Sequence, residues 1–218
     1  MTQAEVLALL SGTAQPFARG ELSAIAKGPI AGPVKIGRLG IEGDEQADPR
    51  YHGGPDKALH HYPSDHYVFW GSIAIDHPLL NAPGAFGENV STWGLVEEDV
   101  CIGDRFRLGS AVLEISQGRQ PCWKQGQHLG WTALTALMVK ERRSGWYYRV
   151  IEEGIAKAGD LIELIERPLP GWTVKRVFGL LIGGDHKRDP AALKALIAME
   201  LLHSGWRTRA VELLEGPR

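Results

Sequence analysis

Arg105-Phe106-Arg107-Leu108-Gly109-Ser110-Ala111-Val112-Leu113-Glu114-Ile115-Ser116 is the stretch on which the fold class turns. Two short apolar-rich runs, 105–108 and 111–116, flank Gly109-Ser110, a two-residue connection of the kind that closes a tight β-hairpin. The same pattern continues on both sides. Short apolar runs alternate with Gly, Pro, Asn and Asp, giving further strands over 22–27, 34–37, 59–62, 89–92, 146–152 and 161–165. Many short strands joined by turns predict a mainly β barrel or sandwich. Two helices interrupt it, one after Ser64 running to Ile73 and one after Thr132 running to Arg142. The first ten residues read as a short helical or ragged apolar patch.

Composition changes at Arg167-Pro168-Leu169-Pro170-Gly171, which reads as a linker. Beyond it the pattern is helical over 173–182, after Asp189-Pro190, and after Ser204 to about Leu214. The chain therefore divides into a barrel over 1–167 and a small three-helix domain over 172–215. Three short helices bury little alone, so they should pack on the barrel or on a second chain.

Bulk properties exclude several classes. A formal net charge of −2 gives no overall basic footprint for a nucleic-acid polymer or a membrane surface. No apolar run approaches the roughly 20 residues that span a bilayer, and the N-terminus has no secretory pattern, so a cytoplasmic protein is expected. Two cysteines, Cys101 and Cys122, are too few for a common iron–sulfur cluster. No Walker A, G-x-G-x-x-G, H-E-x-x-H or G-x-S-x-G motif is present.

Four stretches carry candidate chemistry. Cys122 lies in Ser116-Gln117-Gly118-Arg119-Gln120-Pro121-Cys122-Trp123-Lys124, where a strand ends in a Gly- and Pro-containing turn. Arg119 and Lys124 would favour its thiolate, a soft metal ligand or nucleophile, and an inert half-buried thiol is the competing reading. Tyr51-His52-Gly53-Gly54-Pro55-Asp56-Lys57-Ala58-Leu59-His60-His61-Tyr62 offers paired glycines for close backbone approach, His52, Lys57 and His60 as donors, and Asp56 as an acceptor. Taken by itself, the stretch is better accounted for by a plain Gly-Pro-Asp turn joining two strands, with solvated charges. Phe86-Gly87-Glu88-Asn89 places Glu88 and Asn89 at a strand entry, for a ring edge or for the turn itself. The acidic stretch 40–48 lacks the spacing of an EF-hand calcium loop and reads best as a solvated loop, with a role at a pocket rim left open. Lys27 would reach an anion or stay exposed. Cys101 reads as core, and Trp146-Tyr147-Tyr148 and Trp206 as packing.

Together, Ser23-Ala24-Ile25-Ala26-Lys27, the 40–46 loop, Tyr51-His52-Gly53-Gly54-Pro55-Asp56-Lys57-Ala58, Gly84-Ala85-Phe86-Gly87-Glu88-Asn89 and the Arg119-Gln120-Pro121-Cys122 loop resemble the MOSC family. That family is named for the C-terminal domain of molybdenum cofactor sulfurase. The order and context look closest to its bacterial YiiM branch, and the likeness runs from about Leu22 to Leu214. The resemblance implies a MOSC-type β-barrel with a C-terminal three-helix domain. It implies a molybdenum cofactor (molybdopterin) whose metal is bound by Cys122. Lys27, His52, Gly53, Gly54, Asp56, Lys57, Asn89 and Arg119 would hold the pterin, and Cys122, His52 and Glu88 would serve catalysis.

The branch is linked with reduction of 6-N-hydroxylaminopurine and related N-hydroxylated bases. The implied activity is therefore reduction of a small N-hydroxylated substrate as a detoxification step. No flavin or nicotinamide motif is present, so electrons would come from an external flavoprotein or iron–sulfur protein. A homodimer joined through the helical tail is one arrangement the sequence allows. Two other readings stay open: a sulfur carrier with a persulfide on Cys122, and a non-catalytic binding module.

Overall fold

A computed structural model describes residues 2–48 and 53–216. Among these residues thirteen strands form, in chain order: β1 Gln3–Ser11, β2 Gln15–Pro16, β3 Leu22–Ser23, β4 Gly28–Pro29, β5 Val34–Gly37, β6 Gly40–Ile41, β7 Leu59–His61, β8 Val90–Thr92, β9 Arg105–Leu108, β10 Ala111–Gly118, β11 Trp146–Glu152, β12 Gly154–Ala156 and β13 Leu161–Glu166. Hydrogen bonding runs β13-β9-β10-β11-β7-β8-β1, and β1 pairs again with β13. Seven strands thus close a barrel and leave no open edge between them. All pairs are antiparallel except β7 with β8. The 105–116 hairpin forms as its sequence predicts, with Ala111 opposite Leu108.

One expectation is overturned at the N-terminus. The ragged patch is β1, which closes the barrel on β8 and β13. Its alternation of exposed Gln3, Glu5 and Leu7 with buried Ala4, Val6 and Ala8 is the period of a half-buried strand. The expected strand over 22–27 shrinks to Leu22–Ser23, and beyond it Ala24, Ile25 and Lys27 line a pocket.

Six α-helices form among the described residues: α1 Asp65–Ile73, α2 Trp123–His128, α3 Leu134–Glu141, α4 Val174–Leu181, α5 Pro190–Ile197 and α6 Ser204–Glu215. Asp189 accepts the capping hydrogen bond from the Ala192 N–H that its position predicts, and Thr173 accepts one from the Arg176 N–H. The cap of α6 is His203, whose side chain accepts from the Gly205 N–H, and not Ser204. Helix α2 was not expected from the sequence.

A single apolar cluster joins Val6, Leu59, Phe106, Leu113, Ile115 and Trp146 of the barrel to Val177, Phe178, Leu196 and Trp206 of the C-terminal helices. The helices therefore bury their apolar stripe on the barrel. Gly118 makes that approach close, since a Cβ there would stand 2.9 Å from the Trp206 ring. A second cluster, with Tyr62, Trp70 and Phe86, packs α1 and α3 beside the barrel mouth. No helix among the described residues is long and apolar enough to cross a membrane.

Candidate active site

Register puts the functional stretches together. Gly118 at the end of β10 faces Trp146 at the start of β11, Trp146 faces His61 at the end of β7, and His61 faces Val90 at the start of β8. Val90 in turn faces Leu9 near the end of β1. The segments that follow or precede these ends therefore converge on one mouth of the barrel. An inner pocket of about 80 Å³ opens there, lined by Lys27, Asp44, Lys57, His60, Asn89, Arg119, Cys122 and Tyr147 among others. Cys122, Lys57, Lys124 and Tyr147 also line a wider cavity of about 590 Å³, whose far wall is His203, Gly205 and Trp206 around the start of α6.

Cys122 is half-buried, carries no disulfide, and is the N-cap of α2. Arg119 Nη2 lies 3.5 Å from its Sγ. The guanidinium is itself fixed: Nη1 donates to Gln125 Oε1 at 2.5 Å and to the Gln120 carbonyl at 3.0 Å. Burial works against the Arg119 charge, yet the facing Cys122 and Tyr147 keep its pKa above the ordinary value. Gln125 continues the brace by donating to the Phe86 carbonyl at 3.3 Å.

The backbone of Arg119 is held from the other side. Its N–H donates to the Gly145 carbonyl at 2.9 Å, and Ser144 Oγ donates to its carbonyl. The Ser144 and Gly145 N–H groups donate to the buried carboxylate of Glu97, at 2.8 and 2.6 Å, which also pairs with His66 at 2.7 Å. Burial raises the Glu97 pKa, but His66 and these N–H groups outweigh it and lower it overall.

Lys27 is buried and ion-paired with Asp44, with side-chain exposures of 6% and 1%. The 40–48 loop is thus not merely solvated: Asp44 also accepts from the Gly12 N–H and from Asn89 Nδ2, both at 2.8 Å. Burial lowers the Lys27 pKa against the opposing pull of Asp44. Gly84 holds this corner with φ of +120°, where a Cβ would meet the Lys27 carbonyl at 2.4 Å. Burial, then Arg119, lowers the pKa of Lys57. The same two causes, in the same order, hold His60 well below its ordinary value, so its ring is neutral at physiological pH.

Other predicted site residues have different surroundings. Glu88 is fully buried, accepting from Tyr67 Oη and from the Gly84 and Phe86 N–H groups at 2.7 and 3.1 Å, and it lines neither cavity. Asp56 pairs with Arg149 at 2.7 Å, and its carbonyl accepts from Ser116 Oγ, which fastens the turn that carries Lys57. Gly53 and Gly54 lead into that turn and line neither cavity. His52 lies outside the described residues. Sequence reasoning missed Gln117, kept a pocket-rim role for the loop of Asp44 only as its second reading, and took Tyr147 and Trp206 for packing alone, although both also line the wider cavity. The cross-strand pairing of Tyr147 with Gln117 would have flagged both once the position of Cys122 was fixed.

A barrel with a thiol at its mouth, braced by arginine and flanked by lysines, defines the class. The MOSC domain model matches residues 48–163, and the chain belongs to the MOSC-domain family. YiiM of Escherichia coli is 43% identical over 157 residues, covering 72% of this chain and 70% of that protein. A Gibberella moniliformis protein named a reductase is 41% identical over 156 residues, 71% of this chain but 28% of that protein. The crystal structure of YiiM from Geobacillus stearothermophilus superposes with a TM-score of 0.80 at 31% identity, covering 97% of this chain and 99% of that one.

Proposed function

We propose that the chain is a reductase of small N-hydroxylated compounds, N-hydroxylated purine bases and their analogues first, using a molybdenum cofactor bound at Cys122. The observation that carries this reading is the placing of Cys122 Sγ, 3.5 Å from Arg119, at the junction of two cavities. The likeness to YiiM and to a protein named a reductase supports it.

The residues fit such a group. The donor set pairs a soft thiol with the cations of Arg119, Lys57, Lys124 and Lys27, suited to a soft metal and an anionic pterin phosphate. Arg119 Nε is buried beside the inner pocket without a hydrogen-bond partner among the described residues, and a buried polar atom of this kind calls for a ligand. The inner pocket alone is below the roughly 300 Å³ of a small-molecule site, so the ligand extends into the wider cavity. When bound, the cofactor supplies two-electron redox chemistry at a thiolate-ligated metal.

Reduction of R–NH–OH to R–NH₂ breaks the N–O bond, consumes two electrons and two protons, and releases water. The electrons come from an external flavoprotein or iron–sulfur protein. This chain holds the thiolate against Arg119 and presents Lys57 to both cavities. Glu88 is closed off by its three donors, so proton delivery falls to His52 or to Lys57, whose pKa is lowered by burial.

The deciding experiment is metal analysis of protein purified from a host that makes molybdenum cofactor, with fluorescence of the released, oxidised pterin. About one molybdenum and one pterin per chain is expected. Folded protein free of both would overturn the reading.

A further inference from the structure

The wider cavity contains a polar group that the reading above does not use. Gln117 is 3% exposed and lines this cavity with Tyr147, its cross-strand partner, beside Cys122 and opposite Trp206. Its Nε2 donates to the Gly118 carbonyl at 3.2 Å, which fixes the amide orientation. The other end, Oε1, is buried and has no hydrogen-bond partner among the described residues. Leaving an acceptor buried and unpaired costs about 1–3 kcal/mol, so an unfilled acceptor beside an open cavity marks a contact made by a ligand.

The walls indicate what that ligand is. Tyr147, Trp123 and Trp206 give flat apolar surfaces, while Lys57 and Gln120 supply polar edges. A cavity of about 590 Å³ has room for a planar heterocycle beside part of a larger cofactor.

We infer that this cavity seats the organic substrate and that Gln117 Oε1 is its specificity-determining acceptor. The site takes a planar nitrogen heterocycle that bears an N–H or O–H donor and discriminates against the same ring with its donors methylated. The inference rests on the proposed reductase reading for the identity of the reacting group, but the subsite exists whether or not a metal is bound.

The test uses the full-length protein, with adenine as the donor-bearing probe and 9-methyl-6-dimethylaminopurine as the donor-free probe. Binding is read by quenching of tryptophan fluorescence, since Trp123 and Trp206 line the cavity. Wild-type protein should bind adenine about tenfold more tightly than the methylated ring, the size of one net hydrogen bond. Gln117→Met should abolish the preference and leave Tm within a few degrees, because losing the Nε2 bond to the Gly118 carbonyl is offset by removing the unpaired Oε1. If the Met variant does not fold, the wild-type comparison of the two probes still decides the inference. Equal binding of both probes by wild type, or an unchanged preference in Gln117→Met, would overturn the inference. Molybdenum-loaded protein whose N-hydroxyl reduction keeps wild-type kcat/KM in Gln117→Met would sink the subsite and leave the reductase reading intact. Donor-selective binding by protein that never acquires molybdenum would do the reverse.

Discussion

Two polar segments reach the same mouth of the barrel, and they differ in how fully they are satisfied. In the 84–89 turn, Glu88 takes three donors, and Asn89 spends its amide on the His60 N–H, the Leu10 carbonyl and Asp44. In the 117–125 loop, Gln117 Oε1 and Arg119 Nε are buried without partners among the described residues, and the thiol of Cys122 is half-buried. Both segments look equally functional as strings of polar residues. A completed network fixes backbone, whereas an incomplete one stores a cost that a ligand removes.

The comparison breaks most sharply at Cys122. Cys122→Ser should lose bound molybdenum and all measurable N-hydroxyl reduction while the thermal unfolding curve stays in place. Retained metal and turnover would remove the loop from the chemistry. Glu88→Ala should do the opposite, costing about 3 kcal/mol or more by urea unfolding because three donors lose their acceptor. The folded fraction of that variant should keep its metal content.

Arg119→Met sharpens the contrast within the loop. Removing a cation 3.5 Å from Sγ should raise the pKa of the Cys122 thiol by about 1–2 units, read from the pH dependence of alkylation in metal-free protein. Lys57→Met should weaken inorganic phosphate binding by several-fold and leave stability within about 0.5 kcal/mol.

A pH-dependent effect belongs to the satisfied side. His61 hydrogen bonds Thr92 at 2.8 Å and Tyr148 at 3.1 Å, and burial lowers its pKa from 6.5 to about 3. The unfolded chain therefore binds this proton first. The stability tied to a neutral His61 is complete above its ordinary pKa and is lost as pH falls from 6.5 towards 3. The slope approaches ~1.4 kcal/mol per pH unit. Urea midpoints at pH 7 and pH 5 should converge in His61→Gln relative to wild type; an unchanged gap would show that this ring does not carry the dependence.

The sequence alone determined the strand–turn class, the 105–116 hairpin, the cap at Asp189, and Cys122 as the residue to watch. Each of these follows from local chemistry: turn residues between apolar runs, a side-chain cap, and a thiol among cations after a strand end. Only the tertiary structure decided the rest. It made Gln3–Ser11 the strand that closes the barrel, because closure depends on a partner, β13, more than 150 residues away in the chain. It turned Glu88 and Asp56 into fasteners and brought Asp44, Gln117 and Tyr147 to the cavities. Whether a polar atom is satisfied depends on groups distant in sequence, and only register and packing bring those groups within hydrogen-bonding reach.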